Sequence, residues 1–108
     1  MSVLKLTVFK EVFELIVSGE KTEEIRLDSK WIKSRLFKAD GTERKYKKIL
    51  FRNGYRKNAA YCVCSFEGFR HADLVHFSYS TGLTIDLKDQ NIYVLYIGEV
   101  LEIANYHV

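Results

Sequence analysis

The chain has 108 residues, of which 47% are hydrophobic and 14% aromatic, with a net charge of +3. That length and composition suit one compact domain with its own core and argue against a wholly disordered chain. There is no run of 18 apolar residues that would read as a membrane-spanning helix, and Glu11 and Glu14 interrupt the apolar stretch of residues 1–16, unlike a secretory leader.

Residues 3–8 alternate in character and are rich in β-formers, which predicts a strand. Phe9, Val12, Phe13, Ile16 and Val17 then recur at helical spacing and predict a short helix with one apolar stripe, stopped at Gly19. Residues 22–27 read as a strand, with Ile25 and Leu27 on one side and Thr22, Glu24 and Arg26 on the other. A second helix is expected over about 29–37, capped by Asp28 or Ser29, with Trp31, Ile32 and Leu36 on its apolar side. A polar turn at 38–45 leads to a strand at 46–53, ended by Asn53-Gly54. Residues 60–67 are apolar on both faces and predict a central strand. A further strand at 74–79, a loop at 80–90 around Gly82, and a long strand from about 91 to 103 with a bulge or bend at Gly98 complete the chain. Early helices followed mostly by strands point to an α+β domain built on a curled sheet or small barrel.

Cys62 and Cys64 stand two apart in an extended segment, so they share a face in a geometry that does not favour a disulfide. Two thiols with no disulfide framework suit a reducing cytoplasm. His71, His76 and His107 form no ligand spacing with them, so neither a metal nor any other cofactor is expected.

The charge is unevenly spread. Residues 30–57 hold eleven Lys or Arg against Asp40 and Glu43, a segment of +9, while the rest of the chain is −6. Such asymmetry is the footprint of a polyanion site. Two clusters add chemistry to it. Lys21, Thr22, Glu24 and Arg26 follow a helix end and line one face of a strand, where Arg26 suits a phosphate or a base edge and Glu24 an amino group. Arg52, Asn53, Tyr55 and Arg56 surround a tight turn, an aromatic ring among cations that suits a stacked base and its phosphates. Trp31, between Lys30 and Lys33, is a second candidate for stacking. Glu67, at the end of the central strand, would form a general acid/base set with Lys21 and Glu24 if the three converged.

The segment GEKTEEIR, through Gly19, Lys21, Thr22, Glu24 and Arg26, resembles the G-x-K-T-x-E-x-R signature of ASCH domains. ILFRNGY (49–55) and IYVLYIGEVLE (92–102) are similar to further stretches of small ASCH proteins, many of them from phages. The resemblance implies a single PUA-like domain over residues 1–108, a small mixed β-barrel with flanking helices and a cleft bearing Lys21, Glu24 and Arg26. It further implies RNA binding, or, as in one subgroup, hydrolysis of N4-acylated cytidines by a lysine, a threonine nucleophile and a glutamate. In that subgroup the nucleophile falls where this chain has Glu24, which cannot make the same hydroxyl attack.

The expectation is therefore a cytoplasmic module that binds RNA or a nucleotide through Lys21, Thr22, Glu24, Arg26, Trp31, Arg52, Asn53, Tyr55 and Arg56, with no membrane contact. Two alternatives stand beside it: a small hydrolase of modified nucleosides or RNA using Lys21, Glu24 and Glu67, and a phage-type interaction domain whose basic face docks on an acidic protein.

Overall fold

A computed structural model describes residues 2–106. Strand β1 (Val3–Val8) turns Leu4, Leu6 and Val8 inward, as its alternation requires. Helix α1 (Lys10–Val17) buries Phe13, Leu15 and Ile16 and packs Val12 and Val17 at the margin of the core. It ends at Ser18, after which Gly19 takes the left-handed conformation (φ +84°) that suits a glycine. Phe9 departs from the expected stripe. It is the N-cap residue, extended and 86% exposed, so its ring stands outside the helix. Strand β2 (Glu23–Leu27) follows, then helix α2 (Lys30–Leu36), whose first turn is capped by Ser29: its hydroxyl oxygen accepts from the Ile32 N–H at 3.1 Å. Ile32 and Leu36 anchor α2 to the core, while Trp31 is left half exposed.

Strands β3 (Lys48–Asn53), β4 (Tyr61–Ser78) and β5 (Thr84–Ala104) complete one five-stranded sheet in the order β1-β3-β4-β5-β2. β1 and β3 run parallel; every other pair is antiparallel. The helices cover one face, where Leu4, Leu6, Ile49, Phe51, Leu95 and Tyr93 meet Phe13, Ile16, Ile32 and Leu36. Cys62 and Cys64 are fully buried on this face without a disulfide. The hydrogen bond between the two thiols, together with burial, pushes Cys62 up.

Residues 74–90 are organised differently from expectation. The separate strand at 74–79 is the continuation of β4, and most of the expected 80–90 loop is the start of β5, leaving only residues 79–83 as a turn. The pairs Val75↔Leu87 and Phe77↔Ile85 make this hairpin arm. Their side chains join Ile25, Ile92 and Val94 in a second, smaller cluster, which gives the arm an apolar reason to form. The β4–β5 ladder slips at several points. One slip lies between Cys64↔Val100 and Phe66↔Ile97, where β5 has an extra residue beside Gly98, at the bend expected there.

The expected PUA-like β-barrel is not formed. The sheet is open: β1 is one edge and β2 the other, and no ladder joins them. The length of β4 and β5 explains the difference. What reads as several short strands is one long hairpin, and β2, only five residues long, pairs with β5 alone. The fold is a small α+β domain with two short helices on an open sheet, and its radius of gyration is 13.8 Å. Among the described residues no helix is long and apolar enough to cross a membrane.

Candidate functional site

β2 carries the expected alternation, but with its sides reversed in burial. Glu24 lies opposite Leu95 and Arg26 opposite Tyr93, so both carboxylate and guanidinium turn toward the main core. Ile25 serves the smaller cluster, and Leu27 is half exposed. Glu24 is 6% exposed and Lys21 only 1%. Burying charge is expensive unless each charge is paired. Here the Lys21 ammonium lies 3.4 Å from Glu24 Oε1 and donates to the Glu23 carbonyl. Arg26 donates from Nε at 3.1 Å and lies 2.9 Å from the same carboxylate through Nη2. Burial pushes the Lys21 ammonium down from the usual lysine range, and the Glu24 carboxylate pulls it back up.

Arg26 has a second task. Its Nη2 donates to the Thr7 carbonyl at 2.9 Å, so one side chain reaches from edge strand β2 to edge strand β1. The seam of the open sheet is thus bridged by a guanidinium. Beside it lies a groove of about 600 Å³. Thr7, Phe9 and Val12 form one wall, Glu24 and Arg26 another, and Gly54, Tyr55 and Ile85 the rest. Tyr55 is 87% exposed, and with the projecting Phe9 it gives the groove two aromatic rings. Gly54 holds the turn below Tyr55 in the left-handed region, at φ +83°.

The tip of the hairpin arm closes over Lys21. The Lys21 ammonium lies 5.4 Å from the centre of the Tyr79 ring, and the Tyr79 hydroxyl donates to Glu23 Oε1 at 2.8 Å. Next to it the Ser80 N–H and hydroxyl both donate to the Glu20 carboxylate, at 2.6 and 2.5 Å. These bonds hold Glu20 below the usual carboxylate range, while burial and the Glu23 bond push Tyr79 up. Lys21 is therefore an internal partner of Glu24, sealed from solvent.

The structure brings Glu24, Arg26 and Tyr55 to one groove, with Lys21 behind them. Thr22 is exposed and donates to Glu23. Glu67 is exposed on β4, accepts from the Ser65 hydroxyl and lies against Gly98; it neither ion-pairs nor hydrogen-bonds with Lys21 or Glu24. Trp31 stacks with Arg35, 5.0 Å from guanidinium to ring, beside α2. Arg52 lies on β3, while Asn53 and Arg56 border a shallow recess with Lys10 and Glu14. Phe9, Thr7 and Tyr79 escape sequence reasoning. Phe9 sits at the right interval for a helical stripe, and only the cap geometry turns it outward. The role of Tyr79 depends on the length of the arm.

No protein-family model, curated protein or solved structure matches this chain. The ASCH assignment is therefore corrected along with the barrel that accompanied it, and the phage association goes with both. The physical reason lies in how little the motif demands. A helix end at Gly19, a turn and a short charged strand reproduce GEKTEEIR locally, and here that segment is built into an open sheet.

Proposed function

We propose that the protein binds single-stranded RNA or a nucleotide, with a base in the groove between β1 and β2 and phosphates on the neighbouring cations. The observation that carries this reading is the Arg26 guanidinium. Glu24 and the Thr7 carbonyl fix its Nε and Nη2, while Nη1 takes no partner among the described residues on a side chain that lines the groove. A preorganised donor beside exposed Tyr55 and Phe9 is the arrangement that suits a stacked base with an anion or a base edge next to it. The size of the groove falls in the range of small-ligand clefts, about 300–1,000 Å³. The cations of residues 30–57 add attraction for a polyanion. Cys62 and Cys64, kept as thiols, favour a reducing cytoplasm as its location.

Hydrolysis finds less support. Lys21 and Glu24 meet, but Lys21 lies beneath Tyr79, and Glu67 contributes nothing to the groove.

The test is binding of a short single-stranded RNA pool across a salt series, with Arg26→Ala and Tyr55→Ala alongside. The expected result is affinity that falls as salt rises and drops about tenfold or more in each variant. Tyr55 is so exposed that its removal leaves the fold alone, which protects the test against misfolding of Arg26→Ala. Wild-type affinity in both variants would rule out the groove. Absence of salt-sensitive binding would rule out RNA and leave an acidic protein surface as the ligand to pursue.

A further inference from the structure

The face of the sheet opposite the helices carries its own row of functional groups on β1, β3 and β4. Lys5 lies beside Leu50, Thr7 beside Arg52, and Arg52 directly opposite Tyr61. Because residues two apart share a face, Lys5, Thr7, Leu50, Arg52 and Tyr61 all project on the side away from Leu4, Leu6, Ile49, Phe51 and Cys62. They line a hollow of about 540 Å³. Leu50 is half-buried between the two cations. On adjacent strands and one pleat apart, the Cα atoms of Lys5 and Arg52 stand about 8 Å from each other.

Two residues belong to both this hollow and the groove of Arg26: Thr7 and Tyr55. Tyr55 thus stands between two recesses, and its side chain is exposed. The cations of the hollow are unspent. Lys5 has no ion-pair or hydrogen-bond partner among the described residues, and Arg52 gives one Nη2 donor to the Arg56 carbonyl and keeps the others. Among the described residues, the one carboxylate hydrogen-bonded to a lining side chain is Glu102, which accepts from the Tyr61 hydroxyl at 3.2 Å. Cations alternating with aromatic rings, on an open sheet face next to a base-sized groove, suit consecutive nucleotides whose bases are not paired with another strand.

We infer that the hollow lined by Lys5, Arg52 and Tyr61 is a second nucleotide subsite, continuous with the groove across Tyr55, so that the protein takes at least two successive nucleotides of a single strand. The inference rests on the binding reading above and extends it from one nucleotide to a strand with a direction across the sheet edge.

The experiment compares two probes, the four nucleoside 5′-monophosphates and a random-sequence RNA tetranucleotide pool, against wild type, Lys5→Glu, Arg26→Ala and Lys88→Glu. Lys88 lies on the hairpin arm outside both recesses, so Lys88→Glu makes the same charge change elsewhere. The expected result is tetranucleotide binding at least tenfold tighter than monophosphate binding. Lys5→Glu should lower tetranucleotide affinity about tenfold and make the salt slope shallower by about one. It should leave monophosphate affinity within about twofold, as should Lys88→Glu for both probes. Arg26→Ala should weaken both probes. Tetranucleotides that bind no tighter than monophosphates, or that bind Lys5→Glu and Lys88→Glu alike, would overturn the second subsite while leaving the groove intact. Failure of both probes to bind wild type would overturn the groove reading and this inference with it.

Discussion

Around β2 the charged side chains are held by one another, whereas along residues 30–57 the cations are held by very little. Lys21 and Glu24 are buried and Arg26 is partly exposed; each ionic group has a partner, and the Glu23 carbonyl accepts a further donor from Lys21 as the Thr7 carbonyl does from Arg26. Of the eleven cations between residues 30 and 57, all exposed, Lys33 alone has a carboxylate partner among the described residues, Asp28 at 3.3 Å. The first arrangement fixes geometry at a cost in desolvation; the second supplies long-range attraction with no fixed geometry. A polyanion site uses both, one part to orient and the other to attract. The number of positive charges in a segment therefore does not decide where a groove forms. The groove proposed for binding lies where a single guanidinium is immobilised across an open seam.

The largest effect is expected at Glu24. Glu24→Ala leaves the buried Lys21 ammonium without its counter-charge, and stability should fall by about 3 to 5 kcal/mol in urea unfolding. A loss below about 1 kcal/mol would mean that Lys21 is far less confined than its burial indicates. Next comes Tyr55→Ala, which should leave stability unchanged and reduce RNA affinity by about 1 to 3 kcal/mol, the worth of one stacked base, as read by fluorescence anisotropy.

Tyr79→Phe removes the bond to Glu23 and should cost about 1 kcal/mol at neutral pH. This contribution depends on pH with a defined sign. Burial, aided by Glu23, raises the Tyr79 hydroxyl above its ordinary value near 10, so the folded state holds this proton more tightly than the unfolded chain. The advantage of wild type over Tyr79→Phe is therefore fully present below pH 10 and declines as pH rises above it. Thermal unfolding of both proteins from pH 7 upward reads this directly, and a gap that widens with pH would contradict the placement of Tyr79. The smallest effect belongs to Lys33→Ala. Its exposed pair with Asp28 should contribute no more than about 0.5 kcal/mol to stability, and the variant's salt slope for RNA should be slightly shallower than that of wild type.

Much of the local structure was legible in the residues. The alternation of residues 3–8 corresponds to β1, Gly19 ends α1, and Ser29 caps α2 with its own hydroxyl. What was not legible depends on contacts between distant segments. Residues 84–90 are mostly polar in sequence and form a strand because Ile85 and Leu87 find Phe77 and Val75 across the hairpin. The burial of Lys21 needs Tyr79, 58 positions away, to arrive over its ammonium. Alternation placed Thr22, Glu24 and Arg26 on one side of a strand, which reads as the face away from the core, but Glu24 and Arg26 lie opposite core residues Leu95 and Tyr93. Tyr55 and Arg26, singled out separately from their own segments, share one groove only because β2 and the β3–β4 turn meet at the seam of the sheet.

We propose that a single strand of RNA binds at that seam. The most direct test is a backbone amide NMR titration of the intact protein with the RNA tetranucleotide pool. Binding there predicts shifts concentrated at Lys5, Thr7, Phe9, Arg26, Gly54, Tyr55 and Tyr61, saturating together as ligand is added. Shifts confined to α2 and residues 37–47, or no shifts at low salt, would contradict it.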